Sequence, residues 1–162
     1  MTEYTTYLKR IDIILAEYFE KHAEYICCKA GCSNCCKKGD YPMSQIELEY
    51  LMQGYINAPD DVKQQIQKNV DEMQKGEACP FLINDLCSVY EYRPIVCRIH
   101  GLAYLINKTT MKLPECANES KNYSKIYRNG EVVLFNPIKD DLDKINKKFG
   151  EIKNLYDWLK DE

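Results

Sequence analysis

The cysteines are the feature that most constrains what this chain can fold into. Of its nine cysteines, four fall within the nine residues from Cys28 to Cys36, in the pattern Cys-x3-Cys-x2-Cys-Cys. Short spacings of this kind let one turn of chain point two or three thiolates at a common centre. A metal shared with the second cysteine-bearing segment, residues 77–101, would fasten together the helices between the segments. Its binding free energy would then become folding free energy.

Not every cysteine or histidine in these segments is expected to bind a metal. An isolated free cysteine commonly behaves as a small buried hydrophobe, but four in one short loop do not fit that role. Cys27 lies at a helix end beside Cys28, and we expect it not to be a ligand. His100 follows Cys97 by three residues and could donate a nitrogen, although an ordinary hydrogen-bonded role is expected. His22 is expected at the surface of the first helix.

Charge and hydropathy narrow the classes of partner. Apolar residues make up 45% and charged residues 29% of the chain, which is a globular composition. The net charge of −3 gives no concentrated basic face for nucleic acid, and no stretch approaches the roughly 20 apolar residues of a membrane span. The N-terminus lacks the pattern of a signal peptide. We therefore expect a cytoplasmic protein with reduced thiols and no nucleic-acid or membrane partner, while a protein partner stays open.

Hydrophobic periodicity predicts a mainly-α fold, a single domain over residues 1–162 with two cysteine-bearing loops. A helix over residues 4–25 leads into the first loop. Ser44 followed by Glu47 is a capping-box signal that opens the next helix.

The remaining elements follow from proline, glycine and apolar spacing. Pro59 suits the first turn of a further helix, which Gly76 is expected to end. Runs 102–106 and 110–113 are predicted to pair as a short β-hairpin across residues 107–108. A turn at 128–130 precedes a brief strand over 131–135. A last helix is expected over 138–160, with Trp158 packed on the protein.

Two separate signatures carry a resemblance to a known family. The first is the cysteine run 28–36. The second is CPFL at 79–82, followed by Cys87, VYEYRP at 89–94 and Cys97-Arg98. Together they resemble the YkgJ-type cysteine-cluster proteins, a family of zinc- or iron-chelating domains, over residues 28–116. The resemblance implies that the metal ligands are Cys28, Cys32, Cys35, Cys36, Cys79, Cys87, Cys97 and Cys116.

Thiolate ligands alone leave the metal open between zinc and iron. Zinc is usually held by four ligands from two paired knuckles, and this chain lacks two such CxxC knuckles. An iron–sulfur cluster such as 4Fe-4S also takes four cysteines, and soft thiolates suit both. Cys35 and Cys36 are adjacent, so their side chains are expected to diverge, serving different ions or bridging one. Eight ligands could form two sites, or one site with spare cysteines.

Two other cysteine chemistries are disfavoured by the predicted fold. The spacing of Cys28, Cys32 and Cys35 is that of radical S-adenosylmethionine enzymes, but those are built on repeated strand–helix units, which this sequence lacks. A thioredoxin-like role would need a βαβ pattern around the cysteines.

The favoured hypothesis is a non-catalytic metal-binding protein with a structural, metal-handling or sensing role. The alternative is a metal- or cluster-dependent enzyme or accessory. By resemblance, lysine methylation is conceivable, since a related cysteine-rich region occurs in flagellin lysine methylases. The sequence offers no G-x-G-x-x-G or P-loop motif. Arg93 and Arg98 are expected to bond to loop carbonyls or a carboxylate, although an anion near the site is a second possibility.

Overall fold

The computed structural model describes residues 1–105, 109–125, 137–138 and 149–160. It is mainly helical with small two-stranded sheets, which confirms the predicted class. The described helices are α1 (Thr2–Lys21), α2 (Gln45–Asn57), α3 (Asp60–Glu72), α4 (Ile95–Ile99) and α5 (Leu155–Lys160). The antiparallel strand pairs are β1 (Pro42–Ser44) with β6 (Ile152–Asn154), β2 (Leu82–Ile83) with β3 (Leu86–Cys87), and β4 (Tyr104–Leu105) with β5 (Met111–Lys112).

Internal contacts divide the chain into two compact units. Unit 1 contains Ala30–Cys97 and Asn146–Glu162, together with Met1, and unit 2 contains Thr2–Lys29 and Arg98–Ile145. The cysteines divide accordingly. Unit 1 holds Cys32, Cys35, Cys36, Cys79, Cys87 and Cys97, and unit 2 holds Cys27, Cys28 and Cys116.

Unit 1 contains an apolar core to which its second cysteine loop contributes. The buried side chains of this core are Met43, Leu51, Ile66, Phe81, Val89 and Leu155. Cys79 and Cys87 pack against it from the second loop. Because burial of apolar surface is the main favourable term in folding, the core fixes the backbone next to these two thiols.

A buried glutamate connects α2 to the helix that carries Cys97. Glu47 is 1% exposed, and its Oε2 accepts hydrogen bonds from the backbone N–H of Ser44 at 2.8 Å and from the Ser44 hydroxyl at 2.9 Å. The predicted capping box at the start of α2 is therefore confirmed. The other carboxyl oxygen, Oε1, accepts the backbone N–H of Ile95, the first residue of α4, at 3.0 Å. One carboxylate thus accepts backbone N–H groups at the starts of two helices, where such groups have no partner within the helix.

The second loop contains a hairpin that the sequence analysis did not predict. Strands β2 and β3 are joined by two residues, Asn84 and Asp85, with φ angles of 50° and 60°. Two successive positive φ values define a type I′ turn, in which asparagine and aspartate are favoured. The hairpin places Cys87 opposite Leu82.

The C-terminal prediction needs a correction. A continuous helix over 138–160 is wrong for residues 152–154, which form β6 and pair with β1. Gly150 has a φ of +104°, which breaks the helical path before the strand. Helix α5 then begins at Leu155, and the Trp158 indole donates to the Met43 carbonyl at 2.9 Å. Trp158 also packs against the core of unit 1, as predicted.

In unit 2, the predicted N-terminal helix is confirmed as α1, followed by a 3₁₀ turn at Ala23–Tyr25. Its buried side chains, Tyr4, Leu8, Ile11 and Leu15, recur at the three- and four-residue spacing of an amphipathic helix. The surface position expected for His22 is wrong, because the residue is 3% exposed and its Nδ1 lies 2.7 Å from the Tyr123 hydroxyl. Burial of this polar ring is offset by that hydrogen bond.

The other sequence predictions have mixed outcomes. The hairpin of runs 102–106 and 110–113 is confirmed at β4 and β5. Gly76 does not end the third helix, which ends at Glu72, and Met73 is already extended. Residues 107–108, 128–130 and 131–135 lie outside the described residues, as does 139–148 of the last predicted helix. None of the helices in the described ranges is long and apolar enough to cross a membrane.

We expect Glu47→Gln to lower the free energy of unfolding by about 2 to 4 kcal/mol, because hydrogen bonds to charged groups and unsatisfied buried donors carry costs of that order. A glutamine amide has one oxygen, so its nitrogen would face the donors of either Ser44 or Ile95. Urea unfolding followed by circular dichroism measures the change. The matched control is Glu49→Gln on the exposed face of α2, with a shift below about 0.5 kcal/mol. Equal shifts in both variants would contradict this role of Glu47.

Candidate metal centre

The two cysteine loops of unit 1 are joined directly through their backbones. The N–H of Cys79 donates to the carbonyl of Cys36 at 2.7 Å, and the N–H of Gly39 donates to the carbonyl of Glu77 at 3.0 Å. A Cβ atom on Gly39 would lie 2.5 Å from the Cβ of Cys79 and 2.7 Å from the Cys36 carbonyl oxygen. The approach therefore requires glycine at this position. It places thiols that are distant in the sequence beside each other.

Five thiols of unit 1 lie close enough to affect one another electrostatically. They are Cys35, Cys36, Cys79, Cys87 and Cys97. The sulfur atoms of Cys35 and Cys36 are 4.0 Å apart, so the prediction that these adjacent side chains diverge is wrong. The 3₁₀ turn at Cys36–Lys38 follows Cys35 directly and sets the two thiols in this arrangement. The structure thus brings together five of the eight predicted ligands.

Cys35 and Cys36 form an unequal pair. A hydrogen bond from the Cys36 thiol lowers the pKa of Cys35 to about 6, against the opposing effect of burial. The same hydrogen bond, together with burial and the charge of Cys35, raises the pKa of Cys36. Cys35 is therefore the member of the pair that ionises first, and Cys36 keeps its proton to donate the hydrogen bond. Thiolates are the form that binds metal.

The other three thiols are shifted mainly by burial. Desolvation raises the pKa of Cys79 to about 12, and it also raises the pKa of Cys87 and of Cys97. Each of the three is raised further by the charge of Cys35. Several negative sulfurs in one half-buried place repel one another unless a cation lies between them. This donor set therefore fits a metal cation that prefers sulfur ligands, such as zinc or iron.

One arginine moderates that repulsion. The charge of Arg93 lowers the pKa of Cys35, Cys87 and Cys97. Its guanidinium carbon lies 3.4 Å from the centre of the Tyr90 ring, and its Nε donates to the Tyr90 carbonyl at 2.9 Å. The prediction that this arginine bonds to a loop carbonyl is confirmed.

Arg98, in unit 2, bonds to a carboxylate, as the sequence analysis also predicted. Its Nη1 lies 2.8 Å from both carboxylate oxygens of Asp12 in α1. The side chain is about 10% exposed, so this ion pair is better shielded from solvent than a typical surface pair.

Asp85, at the tip of the β2–β3 hairpin, links that hairpin to the first loop. Its Oδ1 accepts the Ser33 hydroxyl at 2.6 Å and lies 2.9 Å from Nζ of Lys37. Ser33 is buried and directly follows the predicted ligand Cys32. Sequence reasoning missed this contact, although the Asn-Asp pair between two apolar runs was a usable hairpin signal.

Of the remaining predicted ligands, Cys32 lies in unit 1, and Cys28 and Cys116 lie in unit 2. The Cys28 sulfur accepts a hydrogen bond from Nδ2 of Asn122 at 3.0 Å, and Cys116 lies in the 3₁₀ turn Glu115–Glu119. His100 also belongs to unit 2 and is half-buried. Asn122 is a further residue that sequence reasoning missed, because nothing in its local pattern marks it.

Across the described ranges, no three Cys, His, Asp or Glu side chains already stand where they could hold one ion. Cys35 and Cys36 are already near the sulfur–sulfur separation of about 3.8 Å that a tetrahedron with metal–sulfur bonds of about 2.3 Å requires.

The close approach at Gly39 generates a prediction. In Gly39→Ala the new methyl group would force residues 36 and 79 apart, so metal affinity should fall by roughly 10-fold or more, as for other residues that orient ligands. Titration of the metal against a chromophoric chelator measures the change. Gly39 has a φ of −84°, so alanine introduces no backbone strain there. The loss of affinity would then come from the clash of the methyl group with Cys36 and Cys79 alone.

The control is Gly76→Ala. Gly76 has a φ of +82° and open space where a Cβ would stand. Alanine should therefore cost about 1 kcal/mol in folding through backbone strain and leave metal affinity unchanged. Equal losses of affinity in the two variants would show that contact between the loops does not organise the site.

Comparison with known proteins supports metal binding by this chain. A family model described as "CxxCxxCC: putative zinc- or iron-chelating domain" matches residues 27–127, a range that includes all nine cysteines. The first interval here has three residues, between Cys28 and Cys32, where the family's label has two. No curated protein and no solved structure matched the chain. Since the family model covers more than half of its length, the chain belongs to the CxxCxxCC family of zinc- or iron-chelating domains.

Proposed function

We propose that the chain is a metal-binding protein in which the thiols of unit 1 hold one zinc ion in a tetrahedral site with a structural role. The observation that carries the proposal is the convergence of two cysteine loops. They are hydrogen-bonded to each other between Cys36 and Cys79, and their thiols perturb one another's pKa values. An ion bound there joins the 3₁₀ turn of the first loop, the β2–β3 hairpin and α4.

The Cys35–Cys36 separation favours one ion over a 4Fe-4S cluster. Two thiolates on the same tetrahedral zinc lie about 3.8 Å apart, and these sulfurs are 4.0 Å apart. In a 4Fe-4S cluster each of the four cysteines binds a different iron, which sets the sulfurs further apart. Iron remains the alternative metal, because soft thiolates accept both.

A structural role is supported by the surroundings of the site. Structural zinc sites are closed by four protein ligands, whereas catalytic sites keep a position open for water or substrate. Unit 1 supplies six cysteines, more than four ligands require. Arg93 and Arg98, which an enzyme could use to orient an anion, are engaged by Tyr90 and Asp12. The enzymatic alternative, including protein modification such as lysine methylation, gains support from none of these contacts.

The four ligands are drawn from the six cysteines of unit 1, which include Cys32. Cys28 and Cys116, which the family resemblance also implies as ligands, lie in unit 2 and are spare for this ion. Cys27 is excluded from the ligand set. We further place the protein in a reducing cytoplasm. None of the nine cysteines, all of which lie in the described ranges, forms a disulfide, and metal-binding thiols persist where disulfides do not form.

The identity of the metal is tested by elemental analysis and an absorption spectrum of protein purified without oxygen. The proposal predicts a colourless protein with zinc in stoichiometric amount. A brown protein containing iron and sulfide would contradict the zinc assignment and favour a cluster.

Paired cysteine variants test the ligand assignment. Cys35→Ser should lose metal and much of the fold, because binding free energy contributes directly to folding. Cys27→Ser should retain both. Metal content and thermal unfolding measure the two effects. Equal metal loss in the two variants would show that the ligands are misassigned.

A further inference from the structure

The C-terminal segment of unit 1, residues 151–160, lies against the chain that leaves the first cysteine loop. Its strand β6 pairs with β1 in antiparallel register. The N–H of Leu155 donates to the carbonyl of Tyr41 at 3.0 Å. The segment is therefore fixed to residues 41–44, shortly after Cys36.

The same segment also contacts the chain that enters the second cysteine loop. Nζ of Lys75 lies 2.7 Å and 3.0 Å from the two carboxylate oxygens of Asp157. Nζ of Lys160 donates to the carbonyl of Asp71 at 3.2 Å. The second loop begins at residue 77, just after these partners. The C-terminal segment thus bridges the exit of the first loop and the entry of the second.

The carboxylate of Asp40 stands where these three stretches of chain meet. Its Oδ2 accepts the N–H of Gly76 at 3.2 Å, and its Oδ1 accepts the N–H of Tyr156 at 3.0 Å. Tyr156 is the second residue of α5, and the first four N–H groups of a helix have no partner within it. One oxygen thus holds the entry of the second loop, and the other holds the C-terminal segment.

The bond from Gly76 to Asp40 continues the pairing of the two cysteine loops. In that pairing, residues 36–39 bond to residues 77–79 through their backbones. The next contact along both chains is the one between Gly76 and Asp40. Asp40 therefore acts on the same pairing that brings the thiols together. Its partner at position 76 is a backbone N–H, which every residue except proline supplies, so Gly76→Ala keeps this contact.

An aspartate carboxylate fits this position because both of its oxygens accept hydrogen bonds. An asparagine has the same shape, but its nitrogen would face an N–H either at Gly76 or at Tyr156. One of the two contacts would then be lost. The link between the second loop and the C-terminal segment would be lost with it.

We propose that Asp40 is a positioning residue that couples the metal centre to the C-terminal segment, so that metal binding and docking of residues 151–160 strengthen each other. This inference rests on the proposed function, in which the thiols of unit 1 hold the ion. An ion shared by the two loops fixes residues 40–44 relative to residues 71–76, and the segment docks on both stretches. Coupling of this kind is reciprocal. How firmly the segment is docked then depends on whether the metal site is filled.

Hydrogen–deuterium exchange followed by NMR measures this coupling in the full chain under reducing conditions. Exchange rates of the N–H groups of residues 152–160, except Tyr156, are compared between zinc-loaded protein and protein freed of zinc by a chelator. The N–H groups of α2 are the internal reference for opening of the whole unit. Relative to α2, zinc should slow exchange in the wild-type segment by roughly 10-fold or more, within the usual range of coupling between two sites.

Asp40→Asn should abolish most of this zinc-dependent slowing. It should also weaken zinc binding by roughly 10-fold, the scale of effects of residues that orient ligands, as measured by competition with a chromophoric chelator. The matched control is Glu151→Gln in the same segment. The Glu151 side chain is largely exposed and lies 3.9 Å from Lys153 within the segment, so its amide should change neither measurement.

A merely structural role for Asp40 would speed exchange equally with and without zinc, and an unaltered zinc effect in Asp40→Asn would overturn the proposal. If Asp40→Asn does not fold, the wild-type comparison decides, because equal effects of zinc on the segment and on α2 would also overturn it. A wild-type chain that binds neither zinc nor iron would overturn the proposed function along with this inference. A wild-type chain that binds zinc without extra protection of the segment would overturn this inference alone.

Discussion

Unit 1 depends on keeping several thiols together in a half-buried place where their charges repel. Burial and mutual repulsion raise the pKa of Cys79, Cys87 and Cys97, so the group is stable as neutral thiols or as thiolates around a cation. Arg93 reduces the repulsion from one side, and a divalent metal would remove it. The chain keeps these groups together through contacts that involve no metal. These are the backbone pairing of residues 36–39 with 77–79 and the two-sided hydrogen bonding of Glu47.

Each of these contacts depends on a different residue. Gly39 allows the loops to approach, and Asp85 ties the hairpin that bears Cys87 to the first loop. Glu47 holds the first turn of the helix that carries Cys97. Because the loops are already ordered in this way, metal binding costs less conformational entropy. An ion that binds unit 1 therefore completes an arrangement that the fold has largely set.

The sequence predicted those parts of the structure that depend on local chemistry. The capping box of Ser44 and Glu47, the apolar stripe of α1 and the hairpin of β4 and β5 are encoded by residues a few positions apart. The pairing of β6 with β1 is not, because its partners are residues 42–44 and 152–154. A strongly helical pattern over 138–160 was overridden there by a contact distant in the sequence. The burial of His22 depended on Tyr123 for the same reason.

The candidate site shows the same division. Spacing and resemblance identified the cysteines, five of which the structure brings together in unit 1. They did not show the 4.0 Å approach of Cys35 and Cys36, since the expectation for adjacent side chains is divergence. Glu47 was noticed only as a helix cap, and Asp40 carried no signal, because each acts on residues distant in the sequence. The residues that position a metal site are thus harder to predict than its ligands.

X-ray absorption at the metal edge of protein purified without oxygen tests the central claim most directly. Our account predicts a zinc ion surrounded by four sulfur atoms at about 2.3 Å. A shell dominated by oxygen or nitrogen, or an iron signal with a neighbouring iron atom, would contradict it.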